Sequence, residues 1–485
     1  MFPRICFRVQ SPGLVFQTRL PIPSKGPFRA VLKRASTKLS LDRNSPPFVA
    51  RARGYHDVSL FDPAAGMGTA VGFAGGARML YFRTHPSSCS HDHTSARTTP
   101  AHPRYRILAR SLAHRSITMS TENITIIGAG VIGATTAYYL TRHPKYDLSK
   151  YKIRVIEATE VAAGASGKAG GLLALDWHGP STANLGELSY NLHKQLADEH
   201  GGFEKWGYRA LTTMSISTSF KPRRTANLPP GLDWVNEKGL EKASLLGTEE
   251  TTAQVHPYKF TNEMMRLARE KGVELIMGKV TDVKDGSVTY VSKDTNEEKT
   301  LDSTQTIVTA GPWTPKILKE APISATRAHS ITIRPKKPVS AHALFTSMTL
   351  SSGKTVAPEL YARPDEVYVC GEGDHLTSIP ETADKVEVIQ SRCDDLVKQA
   401  GELSSRLKEG EVLACQACYL PVMERGMGGP MVGAVPGRKG VWVAAGHSCW
   451  GISLSAGTGK VLSEMILDGE AKSCDVGMLD PSEVL

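Results

Sequence analysis

The sequence predicts an α/β protein in which a doubly wound parallel sheet is combined with a second domain built on an antiparallel sheet. Three observations predict this fold: an apolar strand that runs into a glycine-rich turn, a second apolar strand that ends in an acidic residue, and later alternating segments of hairpin type. The 485 residues are enough for two or three domains with sizeable cores.

Residues 1–118 differ in composition from the rest of the chain. They contain 18 Lys and Arg, 4 Asp and no Glu, so the remainder is mildly acidic although the whole chain carries a net charge of +10. An Arg-, Ser- and Pro-rich composition is typical of a transit peptide or of disordered chain. Met119 is a natural second start. We favour an over-extended gene model or a translated leader and a cytoplasmic protein, and the alternative is a genuine mitochondrial presequence.

The glycine-rich turn follows the first predicted strand, residues 124–127, without a gap. Gly128 permits the tight turn, Gly130 lets the backbone approach a pyrophosphate, and Gly133 lets the following helix pack close to the strand. The phosphates would lie at the positive end of that helix. The amides expected to face them are those of Val131 and Ile132.

The second predicted strand, residues 152–158, carries the acidic partner of this turn. Glu157 lies 24 residues beyond Gly133, close to the spacing of about 20 at which a carboxylate binds a ribose hydroxyl. The same carboxylate would repel a 2′-phosphate. The nucleotide is therefore expected to be FAD or NAD rather than NADP.

A second loop of small residues follows, within residues 160–177. An NAD-dependent dehydrogenase usually continues with a helix here, whereas this loop lets the backbone approach a second part of a larger cofactor. The hydroxyl of Ser166 can bond phosphate or ribityl oxygens. The loop favours FAD, and an NAD-dependent dehydrogenase is the weaker alternative. Its residues expected beside the cofactor are Gly164, Ala165, Ser166, Gly167, Gly170 and Gly171.

With these segments the chain resembles the D-amino-acid oxidase superfamily of FAD-dependent oxidoreductases, which includes glycine oxidase and monomeric sarcosine oxidase. The resemblance extends over residues 122–470, and four later segments match in the family's order, at 262–283, 306–318, 359–374 and 430–469. It implies further cofactor contacts at Val280, Ala310, Gly311, Trp313, Gly446, Gly451, Ile452 and Ser453.

The resemblance also implies a division of the chain into domains. An FAD-binding, Rossmann-like domain would be assembled from the pieces 119–185, 262–318 and 430–470. Residues 186–261 and 319–429 would form the antiparallel substrate domain, and 471–485 a C-terminal tail. Gly457 and Gly459 are expected to let the last helix lie close under the sheet.

Two positions depart from the family's pattern. Simple amino-acid oxidases of the family carry an arginine that holds the substrate carboxylate, and Leu420 stands there in this chain. Sarcosine oxidases carry a lysine after the last glycine turn, and here Gly451 is followed by Ile452 and Ser453. A standard amino-acid substrate is therefore in doubt.

Cysteine usage adds one candidate. Cys418 falls where sarcosine and fructosyl-amine oxidases attach FAD through a thioether, and the alternative is a small buried side chain. Cys415 and Cys418 are a close pair without the second pair that a zinc site requires, so no metal is expected.

In this family a hydride passes from the carbon beside nitrogen to flavin N5, so the protein has to orient a small-molecule substrate and balance charge. Several polar and aromatic side chains could replace the missing arginine, each with a purely structural alternative. The catalytic candidates are Arg363, Tyr361, Tyr419, His447 and Trp450, with Arg327 and His329 considered beside them.

The sequence thus predicts an FAD-dependent oxidoreductase that oxidises the C–N bond of a secondary amine or modified amino acid, with oxygen or another electron acceptor. The alternative is a flavin-binding adaptor or sensor with little or no turnover. Outside residues 1–118 no basic surface suggests nucleic-acid binding. No apolar run approaches the roughly 20 residues that span a bilayer.

Overall fold

The computed structural model describes residues 121–222, 226–426 and 428–485. The predicted leader, residues 1–118, lies outside the described residues. Strands and helices are numbered along the chain. The helices are α1 (Val131–Leu140), α2 (Ala165–Lys168), α3 (Ala183–His200), α4 (Gly202–Trp206), α5 (Pro257–Arg269), α6 (Gln390–Leu403), α7 (Ser405–Lys408) and α8 (Gly451–Asp468).

The first sheet has eight strands: β1 (Glu122–Ile127), β2 (Tyr151–Glu157), β8 (Glu274–Lys284), β9 (Ser287–Ser292), β10 (Glu298–Asp302), β11 (Gln305–Val308), β18 (Met431–Ala434) and β19 (Val441–Ala445). Their order is β10-β9-β8-β2-β1-β11-β19-β18. The five central strands, from β8 to β19, are parallel. Their chain order 3-2-1-4-5 is that of a doubly wound nucleotide-binding sheet, which confirms the predicted fold class.

The apolar run of β1 is explained by burial on both faces of this sheet. Ile124 and Ile126 pack with α1, α5 and α8 on one face, and Ile127 packs with β9 on the other. Gly459 of α8 lies so close to α1 that a Cβ there would be 2.6 Å from the Thr135 carbonyl carbon. This corrects the expectation for the glycines of the last helix, because they bring α8 against other helices rather than against a sheet.

The second sheet contains β5 (Thr212–Ser219), β6 (Leu240–Gly247), β12 (Ile323–Arg334), β13 (His342–Thr349), β14 (Thr355–Val356), β15 (Glu359–Ala362), β16 (Val367–Cys370) and β17 (Glu411–Met423). Its order is β17-β12-β16-β15-β13-β5-β6, with β14 beside β13. Because β13 and β5 are parallel, this sheet is mixed rather than purely antiparallel as predicted. A small third sheet joins β3 (Leu172–Ala174), β4 (Arg209–Ala210) and β7 (Thr252–Gln254).

The core of the first sheet extends past the predicted domain boundaries. Tyr190 and Leu196 of α3 and Trp206 of α4 are buried with Ile124, although residues 186–261 were assigned to the substrate domain. The apolar face of α3 is covered by α8, which explains this difference. Leu479 of the predicted C-terminal tail is buried in the same core. Within the described ranges, no helix is both long and apolar enough to cross a membrane.

Candidate active site

A cavity of about 730 Å³ runs from the glycine turn after β1 to the β15–β16 hairpin of the second sheet. Gly130, Ser166 and Trp313 all line it, so the turn and the small-residue loop open into one continuous space. Of the cofactor residues expected from the sequence, all line the cavity except Gly133, Gly167, Gly446 and Ser453.

The glycines of the turn are required by close backbone approach. Gly128 has a φ of +101°, and a Cβ there would lie 2.8 Å from the Thr309 carbonyl oxygen. A Cβ at Gly133 would overlap the Gly128 carbonyl oxygen, which explains why this residue lies beneath the turn and not in the cavity wall. Gly130 faces Ser166, whose Oγ would be 3.0 Å from an added Cβ. The turn therefore leaves bare backbone at the cavity wall.

Glu157 ends β2 at this wall, and its carboxylate is already held in place. Its Oε2 accepts a hydrogen bond from the Ala129 amide at 2.8 Å, and its Oε1 accepts from the Thr159 amide at 2.9 Å. A carboxylate oxygen has room for a further donor. Fixed in this way, Glu157 can accept from a ribose hydroxyl.

Two helices begin at the cavity. The first amide of α1, from Val131, donates to Ser166 Oγ at 2.9 Å. Gly451 and Ile452 at the start of α8 line the other part of the cavity, and Trp450 before them supplies no side-chain cap. Helix amino termini carry partial positive charge and unpaired amides. Bare backbone, a fixed carboxylate and two helix amino termini together fit a long dinucleotide such as FAD.

The β15–β16 hairpin forms the opposite wall. Glu359 and Tyr361 on β15 pair with Cys370 and Tyr368 on β16, and all four side chains face the cavity because they alternate along their strands. Tyr361 Oη donates to Glu359 Oε2 at 2.6 Å. Burial raises the pKa of the Glu359 carboxyl, although hydrogen bonds from Tyr361 and Cys370 act in the opposite direction.

The hairpin is joined to the small-residue loop by its side chains. Tyr368 Oη donates to the Lys168 carbonyl oxygen at 3.0 Å. The ring of Tyr361 lies where a Cβ on Gly170 would be only 2.6 Å away. Arg363 Nη2 donates to the Ala169 carbonyl oxygen at 2.7 Å. The two walls of the cavity are therefore in direct contact.

Two of the predicted catalytic residues, Arg363 and Tyr419, do not face the cavity. Arg363 is buried just past the end of β15, where Nη1 donates to Glu366 Oε1 at 2.6 Å. Tyr419 shares a bond with Thr377 Oγ1 at 2.9 Å. It lies between Cys418 and Leu420, which both line the cavity, so strand alternation turns it to the other face. Neither residue can hold a substrate in this position.

The other arginine considered from the sequence is also engaged elsewhere. Arg327 is 1% exposed and forms ion pairs with Asp374 at 3.2 Å and Glu387 at 3.0 Å. The neighbouring His329 accepts from the Ile389 amide at 2.9 Å. Among the described residues no arginine lines the cavity, whose cationic side chains are Lys168, Lys279 and Lys316.

The remaining predicted residues, Tyr361, His447 and Trp450, line the cavity. Burial lowers the pKa of His447 to about 3, so its ring is neutral at physiological pH, and its Nε2 lies 3.2 Å from Thr458 Oγ1. Trp450 packs on the ring of His178, with centroids 4.6 Å apart. A histidine with so low a pKa is a weak base, so we interpret His447 as a structural support for the loop before α8.

Cys418 lies in the cavity wall, as the thioether prediction requires, but its environment favours the neutral thiol. Burial raises its pKa to about 11, and the Lys168 charge opposes this only in part. The Lys168 ammonium donates to the Ala417 carbonyl oxygen at 3.1 Å. Across the part of the chain that the structure describes, no group of three or more His, Cys, Asp and Glu could hold a metal ion.

The end of the cavity at the β15–β16 hairpin, called the hairpin end below, includes residues that sequence reasoning missed. These are Trp177, Phe345, Glu359, Tyr368 and Cys370. The hairpin residues carried a usable signal, since Glu359 is two positions before Tyr361 and so shares its face of the strand. Trp177 and Phe345 come from a loop and a distant strand, and nothing local in the sequence connects them.

Comparison with known proteins identifies the family. The family model for FAD dependent oxidoreductases (DAO) matches residues 123–465. The chain is 40% identical to the Schizosaccharomyces pombe protein C1F5.03c over 75% of this chain and 98% of the relative. It is 34% identical to the Saccharomyces cerevisiae protein TDA3, over 74% of this chain and 94% of the relative. Both relatives bear names that class them as oxidoreductases.

The fold is also found among solved structures. Glycine oxidase from Geobacillus kaustophilus superposes with a TM-score of 0.60 at 18% identity, covering 74% of this chain and 98% of that one. A likeness at this identity concerns the fold, while the family match covers most of the described chain and includes the glycine turn and most of α8. The protein belongs to the D-amino-acid oxidase family of FAD-dependent oxidoreductases, and its cofactor is FAD.

Proposed function

We propose that this oxidoreductase oxidises the C–N bond of a secondary amine or modified amino acid, with oxygen or another acceptor taking the electrons. One observation carries the proposal: the FAD-binding turn and an aromatic, Glu359-containing wall share one cavity that no arginine lines within the described residues. A substrate held by its carboxylate lacks the usual bidentate partner there. An amine, by contrast, would find the Glu359 carboxyl as a hydrogen-bond acceptor between apolar walls.

The chemistry assigns distinct tasks to cofactor and chain. FAD, held at the glycine turn and the α8 amino terminus, would supply the hydride acceptor for the carbon next to nitrogen. The substrate would leave as an iminium ion, and water would hydrolyse it after release to a carbonyl compound and an amine. The α8 amino terminus, at Gly451 and Ile452, stabilises negative charge at its end of the cavity. Tyr361, Phe345 and Trp177 exclude water around the reacting nitrogen.

Anaerobic reduction of the purified flavoprotein by a panel of secondary amines, N-alkylated amino acids and simple amino acids tests this function. Loss of the visible absorbance of oxidised flavin is the expected result for secondary amines and modified amino acids. Preferential reduction by simple amino acids, or none by any amine, contradicts the proposal.

A flavin-binding adaptor or sensor is a second candidate, favoured by Leu420, which lines the cavity where simple amino-acid oxidases of the family place their arginine. The same experiment separates the two candidates. An adaptor holds FAD stoichiometrically but its flavin stays oxidised with every amine.

A further inference from the structure

Four aromatic rings form a continuous wall at the hairpin end of the cavity. Trp177 and Phe345 have centroids 5.5 Å apart, Phe345 and Tyr361 lie at 6.1 Å, and Tyr361 and Tyr368 at 5.9 Å. All four rings line the cavity. The faces of aromatic rings attract cations, and aromatic walls of this kind recognise alkylated ammonium groups.

A carboxyl group lies within this wall. Glu359 is the cross-strand partner of Phe345 on one side and of Cys370 on the other, and it retains some accessible surface because it faces the cavity. Its hydrogen-bond donors are the Tyr361 hydroxyl at 2.6 Å and the Cys370 thiol at 3.8 Å. Both donors are uncharged, so neither neutralises a carboxylate.

The wall is therefore complementary to a positive charge. A carboxylate removed from water is costly unless a cation pairs with it, and burial raises the pKa of Glu359 as expected for such a group. The Lys168 ammonium donates to the Ala417 carbonyl oxygen on β17. A cationic ligand would pair with the Glu359 carboxylate and would contact the aromatic rings of the wall.

We infer that this chamber, formed by Glu359 and the rings of Trp177, Phe345, Tyr361 and Tyr368, binds the positively charged nitrogen of an N-alkylated amine. Glu359 is the counter-ion and the rings form the cage. The inference rests on the proposed function and narrows its substrate class to amines that bind as cations and need no carboxylate for binding. Before hydride transfer the reacting ammonium group must lose its proton, for which the Glu359 carboxylate is the acceptor.

Binding to the FAD-loaded wild-type protein is the primary test, measured by calorimetry without oxygen. The probes are choline, its uncharged isostere 3,3-dimethylbutan-1-ol, and benzoate as a carboxylate. We expect choline to bind at least about 10-fold more tightly than the isostere, as a desolvated cation–π and ion-pair site requires. Equal binding of choline and the isostere, or tighter binding of benzoate, overturns the inference.

Two variants locate the effect. Glu359→Gln keeps the shape and removes the charge, and should weaken choline binding about 30-fold while leaving the isostere within about twofold. Trp177→Leu should weaken choline about fivefold with little change for the isostere. Glu372→Gln is the matched control, since Glu372 is an exposed carboxylate at the same cavity, and choline binding should change by less than about twofold.

The FAD content and melting temperature of each variant are measured first. If Glu359→Gln does not retain FAD, the wild-type comparison and Trp177→Leu still decide, and unchanged choline binding in Trp177→Leu counts against the cage. Choline binding without flavin reduction by any amine supports the chamber but contradicts the proposed function. Amine oxidation by a protein that prefers neither choline nor any cation contradicts the chamber alone.

Discussion

The two ends of the cavity are built in different ways. At the end near α1 the wall is largely backbone, with Gly128, Gly130 and the first residues of the helix lining the cavity. At the hairpin end the wall is side chains, brought together from β13, from the β15–β16 hairpin and from the loop that holds Trp177. The cofactor end depends on local conformation, whereas the hairpin end depends on tertiary assembly.

This difference determines how each end responds to substitution. A backbone wall tolerates no added atoms at closely packed glycines such as Gly128 and Gly171, while its side-chain identities matter less. A side-chain wall can change its chemistry by single substitutions without loss of the fold. The departure at Leu420 fits this pattern, because Leu420 lies on β17 of the second sheet and not in the glycine turn after β1.

The largest effect is expected for Gly133→Ala, because the added Cβ would overlap the Gly128 carbonyl oxygen. Overpacking of this severity costs roughly 3 kcal/mol of unfolding free energy, and we expect FAD to be lost with it. Gly401→Ala in α6 is the matched control, since its Cβ would meet Lys408 only at 3.4 Å. Urea denaturation and FAD content measure both, and equal stability of the two variants would contradict a backbone-built cofactor end.

Arg363→Met tests whether this arginine supports the structure or holds substrate. Its removal leaves Glu366 and the Ala169 and Gly170 carbonyl groups without their donor, at a cost of about 3 kcal/mol in unfolding free energy. Arg266→Met, which breaks exposed ion pairs with Glu263 and Glu270, should cost below about 1 kcal/mol. A variant of Arg363 with normal stability and raised KM would restore the substrate-clamp prediction from sequence.

Acid should destabilise the protein through buried neutral histidines. Burial lowers the folded-state pKa of His193 to about 4 and that of His447 to about 3, below the unfolded value of about 6.5. The unfolded chain therefore binds protons first, and stability present above pH 6.5 is lost as the pH falls towards 4, by about 1.4 kcal/mol per pH unit for each histidine. Urea midpoints at pH 7, 6 and 5 measure this loss.

Substitution isolates the contribution of one ring. His193→Gln should make the decline with pH shallower, since Gln cannot take up a proton, while substitution of the exposed His375 by Gln should leave the slope unchanged. Identical slopes in all three proteins would exclude His193 as a source of acid sensitivity.

The smallest effect is expected at Cys418. The thiolate is the reactive form of cysteine, and burial raises the pKa of this thiol to about 11, so we expect the flavin to be held without a covalent bond. Acid precipitation should then release FAD from wild-type and Cys418→Ser protein alike. Flavin that stays in the wild-type pellet and is released from the variant would establish the thioether.

The sequence predicted the cofactor end well because its signals are local. The spacing of Gly128, Gly130 and Gly133 and the acid Glu157 follow from the geometry of one β-α-β unit, and the cavity contains what that unit requires. The hairpin end was predicted less well. Tyr419 lies on β17 and Arg363 just past the end of β15, and the direction of each side chain depends on where a strand ends and on which face its neighbours take.

The contact between hairpin and loop has a thermodynamic consequence. Tyr361 rests on Gly170, Tyr368 bonds to Lys168, and Arg363 bonds to Ala169 and Gly170, so the hairpin end of the cavity is attached to the small-residue loop at its cofactor end. Two ligands that share such a junction influence each other reciprocally. Any factor by which an amine in the chamber raised the affinity for FAD would be matched by an equal factor by which FAD raised the affinity for that amine.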